Sequence, residues 1–491
     1  MYESANSPAT VNRRKFLYEG CSRAGSALLG GAAACRALGA FPQEDDDHRS
    51  ATAAADGTSL PRPTPAQIAW QECEIGLLYS FDLAVASGVF AGNNTVRETL
   101  DPGRYNPEKL DTDQWLEAAK AAGAQYAVFT ATHFNGFMQW QSDLYPYGLK
   151  QTAWRGGKGD VVGDFVESCR KAGIKPGLYF STHRNAYWEV WGHYTAWGKG
   201  RDTDAQARFN RVAEKMTEEL CSRYGPLVQI WYDAGVKTPS EGGPDVLPIF
   251  EKHQPDSVFY HSRQRSDVRW IGNEVGHAGV PCWATMPIVD GEVSHNATAW
   301  KKHLHGGLAD GEYWSPGMVD VPLRGARGVH NWFWAPEQDH AAYPTETLVK
   351  MYDQSVGRNC NLLIGEVVQS DGQVPQSDVR RLAEFGQAIR RRFADPLGET
   401  RGEGTELELP LSRPQKIGQI VLMEEIALGE RVREYQVQGL GADGTWTKLA
   451  EGQSIGHKWI HRIEPVEVAR LKLSVTRWAA KPMIRRFAVF G

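Results

Sequence analysis

At 491 residues, with 41% apolar and 23% charged side chains, the chain has the make-up of an ordinary globular protein of about two to four domains. That composition excludes a collagen-like or wholly disordered chain, and no run reaches the ~20 apolar residues that a membrane-spanning helix needs. A formal net charge of -5 argues against electrostatic capture of nucleic acid.

The amino terminus reads as an address rather than as part of a fold. Arg13 and Arg14 are followed by Phe16 and Leu17, then by a weakly apolar stretch from Ala24 to Ala34, then by small residues near Ala40. Charge, apolar run and small residues in that order predict a twin-arginine export signal over residues 1–40. The competing reading is a chance Arg-Arg pair in a tail. An exported protein would work in the periplasm or outside a bacterial cell. Cys35 makes a poor lipidation site, because Arg36 follows it and no Leu stands three residues before it. Residues 41–66 carry the acidic run Glu44–Asp47 and then Pro61, Pro63 and Pro65, and are expected to be a linker. The remaining cysteines are Cys73, Cys169, Cys221, Cys282 and Cys360, with no CxxC among them. That spacing is not a zinc pattern, so buried thiols are expected, with room for one disulfide.

From residue 67 onward, short apolar runs alternate with helix-period segments. The runs are Ile75–Tyr79, Tyr126–Thr130, Lys175–Phe180, Leu227–Tyr232, Ser257–His261, Val280–Ala284, His330–Trp334 and Leu362–Ile364. The helical segments include Asp113–Gly123, Val161–Gly173 and Ala205–Tyr224. Strand-helix repeats of this kind predict an α/β (β/α)8 barrel over residues 67–393, with a doubly wound sheet as the alternative. No GxGxxG opens a helix after a strand, which counts against a dinucleotide fold.

In such a barrel the polar residues just past each strand face the active site. Here they are Ser80 and Asp82, His133 and Asn135, then Ser181, His183 and Arg184, followed by Asp233, His261, Glu312 and Asp320. Trp140, Trp231, Trp314 and Trp332 fall close to them, with Tyr179 inside the third strand. Carboxylates among aromatic rings suit glycoside chemistry: a sugar stacks its C–H face on a ring while two carboxyls act as nucleophile and acid/base. The sharpest element is Ile230-Trp-Tyr-Asp233-Ala-Gly235, an Asp closing an apolar strand. Capping of a following helix explains it equally well.

Several longer motifs give the chain a likeness. Leu110-Asp-Thr-Asp-Gln-Trp115, Thr130-Ala-Thr-His133-Phe-Asn-Gly136, Gly157-Lys-Gly-Asp160-Val-Val162, Trp231-Tyr-Asp233, Arg269-Trp-Ile-Gly-Asn-Glu274-Val-Gly276 and Ser355-Val-Gly-Arg358 run collinearly. The stretch from about 67 to 393 thereby resembles family 29 glycoside hydrolases, the α-L-fucosidases. The resemblance implies an exo-acting, retaining enzyme that needs no cofactor or metal. Asp233 would be its nucleophile, and His133, Trp140, Tyr179, Trp231, Arg269 and Trp314 would contact a glycan. A structural ion pair explains Arg269 equally well.

Three stretches depart from the family's pattern. Ser80 stands where a His is expected, and His133-Phe134-Asn135-Gly136 replaces His-His-Asp-Gly. In Pro316-Gly-Met318-Val-Asp320, Met318 occupies the place of an acid/base Glu, and a thioether donates no such proton. Glu312 is then the expected acid/base, with Asp320 and Glu274 behind it. A changed sugar, or a homologue that binds without hydrolysing, are the other two explanations.

Beyond a Gly- and charge-rich linker at 394–406, helix period disappears and short strands recur, predicting a β-sandwich over 407–491. Glu424–Val432 and Glu451–Lys458 resemble the discoidin-like domain attached to the same family. Trp446, Trp459 and Trp478 are expected to pack rather than to stack on glycan.

Overall fold

The computed structural model describes residues 60–90, 98–293 and 298–491. The expected export signal and all but the end of the first linker lie outside the described residues. No helix among the described residues is long and apolar enough to cross a membrane.

Eight parallel strands form the barrel: β1 (Ile75–Ser80), β2 (Tyr126–Thr132), β3 (Lys175–Phe180), β4 (Gln229–Tyr232), β5 (Val258–Tyr260), β6 (Arg269–Trp270), β7 (Gly317–Pro322) and β8 (Cys360–Val367). Their order in space is β5-β4-β3-β2-β1-β8-β7-β6. Asp267 bridges the seam between β5 and β6: its N–H donates to the Phe259 carbonyl at 3.0 Å, and its carboxylate accepts the Phe259 N–H at 2.7 Å. The helices outside the sheet include α2 (Thr112–Ala122) and α3 (Val161–Ala172), preceded in the chain by α1 (Pro65–Gln71). Asp111 and Asp160 cap α2 and α3, and α2 stops at Gly123, whose φ of 82° is left-handed. Tyr79 points outward, stacked on Trp115 of α2 and edge-on to Phe165 of α3. Strand alternation then turns Leu78 and Ser80 inward. The amino-terminal end of the barrel is closed by Trp70 of α1, which donates to Gln229 at 2.8 Å and accepts from Asn361 at 2.7 Å.

Two strands are not where hydrophobicity placed them. Val280–Ala284 and His330–Trp334 lie outside the strands, and the sixth and seventh staves are Arg269–Trp270 and Gly317–Pro322. The sixth has two residues, too few for any periodicity, and the seventh carries Gly, Asp and Pro, which read as turn residues.

Behind the barrel come β9 (Gly398–Glu403), β10 (Glu406–Glu424), β11 (Val432–Leu440), β12 (Trp446–Gly452), β13 (Trp459–Trp478) and β14 (Met483–Phe490). They form one antiparallel sheet in the order β9-β14-β10-β13-β11-β12. Register breaks at Pro410/Gln415 and Ile417/Gln419 bend the long strands, as a sandwich requires. Residues 398–403, expected as linker, are instead the edge strand β9. Trp459 is buried, but Trp478 is 48% exposed and so does not pack as expected.

The β-domain grips the barrel through polar contacts. The Asn359 side chain accepts from the His457 N–H at 2.7 Å, and Ser454 Oγ accepts from the Cys282 N–H at 3.0 Å. The buried Glu430 carboxyl accepts from the Ala284 N–H at 3.0 Å and from Asn359 Nδ2. Burial, then the neighbouring Glu424, push the Glu430 carboxyl up to about 8, against the Ala284 N–H, Arg433 and Asn359. A folded-state value raised above the unfolded one favours the fold below about pH 4.5, and that contribution is lost as pH rises through about 8. Urea midpoints should therefore fall between pH 5 and 8 by the equivalent of a few kcal/mol, on the order set by the shift. In Glu430→Gln that slope should flatten; an unchanged slope would remove Glu430 as its source.

Candidate active site

Asp233 follows the last residue of β4 on the carboxyl rim of the barrel. Tyr179, on β3, donates its O–H to Asp233 Oδ2 at 2.9 Å. The backbone turns at once, with Ala234 at φ 57° and Gly235 at φ 77°. A Cβ at Gly235 would come within 2.6 Å of the His261 ring, so only glycine fits there. No helix begins at this turn. The next helical element is a single turn, Pro239–Glu241, preceded by Thr238, so Asp233 is not a helix cap.

Aromatic side chains wall the site. Trp231 meets Tyr179 edge-on at 5.3 Å and lies 5.4 Å from Tyr260. His133 is buried, stacked on Phe134 at 3.9 Å and Tyr179 at 5.6 Å, with Phe333 at 4.7 Å. The Arg184 guanidinium covers the far side of Phe134 at 4.7 Å and also faces Trp191 at 4.2 Å. Phe134 thus extends a stacked column where the resembled family has a second His. Asn135 donates to Asp82 at 2.8 Å, and Asp82 caps the one-turn helix Leu83–Ala86. This departure braces the rim.

Two further carboxyls stand on β7 and just past β6. Asp320, on β7, is 4% exposed and accepts from Trp270 Nε1 at 2.8 Å. Glu274 lies four residues past the end of β6, its side chain 17% exposed, and accepts from His330 Nε2 at 2.7 Å and Trp332 Nε1 at 3.0 Å. All three act electrostatically on Tyr260. Burial first, then Asp320, Asp233 and Glu274 among its neighbours, push the Tyr260 phenol well above its usual range.

The structure brings Tyr179, Trp231, His133 and Asp233 together, and it places four other candidates elsewhere. Glu312 is exposed, and its backbone N–H pairs with Met286 in a two-stranded ladder outside the barrel. It precedes β7, so it lies towards the amino-terminal end of that strand, whereas Asp233 follows the carboxyl end of β4. Trp314, in the same ladder, donates to Gln71 of α1 at 3.1 Å and packs with Ala284 and Ile426. Arg269 is fully buried, donating to the carbonyls of Leu304 at 3.0 Å and Ser315 at 2.6 Å. Trp140 is fully buried and donates to Glu219 on the outer helix α4 (Asp204–Arg223) at 2.7 Å. The side chains of Trp314, Arg269 and Trp140 build the scaffold, and that of Glu312 faces solvent. Met318 is the second residue of β7, fully buried and level with Asn361, which holds Trp70. It lies beneath the rim, so its thioether does not bear on proton transfer there.

Sequence reasoning passed over Trp270, Tyr260 and the pairing of Glu274 with His330 and Trp332. The signal for Glu274 was in the motif Arg269–Gly276. Placing the sixth strand at Val280–Ala284 put that motif before the strand instead of after it.

A family model described as Alpha-L-fucosidase matches residues 98–392. The putative alpha-L-fucosidase 1 of Oryza sativa subsp. japonica is 31% identical over 473 residues, spanning 88% of this chain and 85% of that one. Alpha-L-fucosidase 1 of Arabidopsis thaliana is 26% identical over 474 residues, with 88% of each chain covered. The crystal structure of a putative alpha-L-fucosidase from Bacteroides thetaiotaomicron VPI-5482 superposes with a TM-score of 0.84 at 42% identity, covering 88% of this chain and 99% of that one. With the family model matched over more than half of its length and these relatives aligned across barrel and β-domain, the chain belongs to the α-L-fucosidase family of glycoside hydrolases and is a glycosidase.

Proposed function

We propose that the enzyme releases α-L-fucose, or a closely related sugar, from the ends of glycans with retention of configuration, Asp233 being the nucleophile and Glu274 the acid/base. The observation that carries this reading is a carboxylate on the β4 rim held by Tyr179, with a second, partly exposed carboxyl on the same rim held by His330 and Trp332. Asp233 attacks the anomeric carbon as the bond to the glycosidic oxygen breaks, and the Glu274 proton goes to that oxygen. Water then gives a proton to Glu274 as its oxygen displaces Asp233 from the anomeric carbon. The exposure of Glu274 lets it exchange protons with solvent between turnovers, which the deeper Asp320 cannot do as readily. The rings of His133, Phe134, Trp231 and Phe333 suit the methyl and C–H faces of a deoxy sugar. Proton NMR of the first product from an aryl α-L-fucoside tests the reading: the α-anomer should appear first, and initial β-fucose would rule out double displacement.

Tyr179→Phe removes one hydrogen bond to a charged group, worth about 1.5–3 kcal/mol. The fucoside kcat/KM should fall by roughly 10- to 100-fold, with the loss falling on the fucosylation step. An unchanged kcat/KM with a lowered thermal midpoint would mean that Tyr179 only packs.

We further propose that Arg13 and Arg14 direct export of the folded enzyme. Lys at both positions should strand activity in the cytoplasmic fraction of a bacterial host; unchanged release would reject the signal.

A further inference from the structure

The five cysteines among the described residues are all buried, and two of them meet: Cys282 Sγ and Cys360 Sγ stand 3.5 Å apart, 78 residues apart in the chain. Cys360 opens β8. Cys282 lies in the long excursion, residues 271–316, that leaves the two-residue strand β6, carries Glu274 and returns to β7. Arg269 Nη2 donates to Cys282 Sγ at 3.4 Å, and the Cys282 N–H is held by Ser454 of the β-domain. Neither thiol takes part in the chemistry at the rim. We propose that Cys282 and Cys360 form a reversible disulfide that staples this excursion to the barrel sheet when the enzyme meets a peroxide-class oxidant.

The two sulfurs are unequal. The hydrogen bond from Cys360, aided by Arg269, pulls the Cys282 thiol down, while the same hydrogen bond and burial push the Cys360 thiol up. The Arg269 guanidinium, 3.4 Å from its sulfur, makes Cys282 the attacking thiolate. Its sulfur takes one oxygen of hydrogen peroxide as the O–O bond breaks and hydroxide leaves, giving a sulfenic acid. Cys360 sulfur then attacks Cys282 sulfur, the S–O bond breaks, and that oxygen departs as water with the Cys360 proton. Two thiols and one peroxide become one disulfide and two waters. Bonding at about 2.05 Å needs the sulfurs to close by about 1.5 Å.

The test is a peptide map of the whole protein by mass spectrometry, without reductant, before and after dilute hydrogen peroxide. One cross-link should join the Cys282 and Cys360 peptides, two hydrogens lighter than their sum. The thiol titre after denaturation should fall by two, and the thermal midpoint should rise by several degrees, all reversed by a phosphine reductant. Cys282→Ser should abolish the cross-link and the shift, and Cys73→Ser should leave both. Oxidation of Cys282 to the sulfinic acid with Cys360 still a thiol, or a link between other cysteines, would overturn the proposal. The wild-type map decides even if a variant does not fold.

Discussion

Replacing Asp233 by Ala should abolish turnover of every fucoside, good leaving groups included, by about 10⁴-fold or more. Asp233 is the carboxylate that directly follows β4, and Tyr179, which donates to it at 2.9 Å, is a phenol and so a poor substitute for it. The fold should survive, because Asp233 follows the last residue of β4 and caps no helix. Added azide should then enter the vacated face and give the inverted β-fucosyl azide, with no burst of released phenol. Activity within tenfold of wild type would sink the assignment, as would an α-configured azide.

Glu274→Ala should separate substrates by leaving group. Proton donation is worth about 10²–10⁴-fold. A natural glycan or methyl fucoside should lose that much, whereas a nitrophenyl fucoside, which leaves without a proton, should form the fucosyl-enzyme almost normally. Hydrolysis of that intermediate should then be slow, phenol should appear in a burst, and azide should restore turnover with an α-fucosyl azide as product. Glu312→Gln is the comparison: exposed and outside the barrel sheet, it should act within about twofold of wild type. Equal losses for good and poor leaving groups in Glu274→Ala, or the burst pattern in Glu312→Gln, would move the acid elsewhere.

How much of this was legible depended on strand length. Lys175–Phe180 and the run ending at Tyr232 are long and apolar enough to be recognised, so Tyr179 and Asp233 fell at the right strand and the right rim. The sixth strand has two residues and the seventh opens with Gly317 after Pro316, so neither has a period to detect. The error propagated. Placing those strands too late carried Glu312 and Trp314 to the rim and left Glu274 before its strand. Burial was the other blind spot. Trp140 and Trp314 carry the same side chain as Trp231, and only tertiary packing shows that they serve Glu219 and Gln71 instead of a ligand. Arg269 is a similar case, for a guanidinium spent on buried carbonyls looks in sequence like one available for a sugar.

The brevity of β6 divides responsibility for catalysis between two parts of the molecule. Asp233 is mounted on a stave hydrogen-bonded on both sides, so its place is a property of the barrel alone. Beyond Trp270 the chain has left the ladder, and the segment carrying Glu274 runs on to Cys282 and Ala284, which are moored by Ser454 and Glu430. Mild heat or denaturant acting on that mooring would therefore disarm proton delivery before it disturbs the nucleophile, and the enzyme would lose its hard substrates before its easy ones. If Glu274 is the acid, as proposed, the appended β-domain, remote in sequence from every proposed reacting group, would bear on which glycosidic bonds the barrel can break.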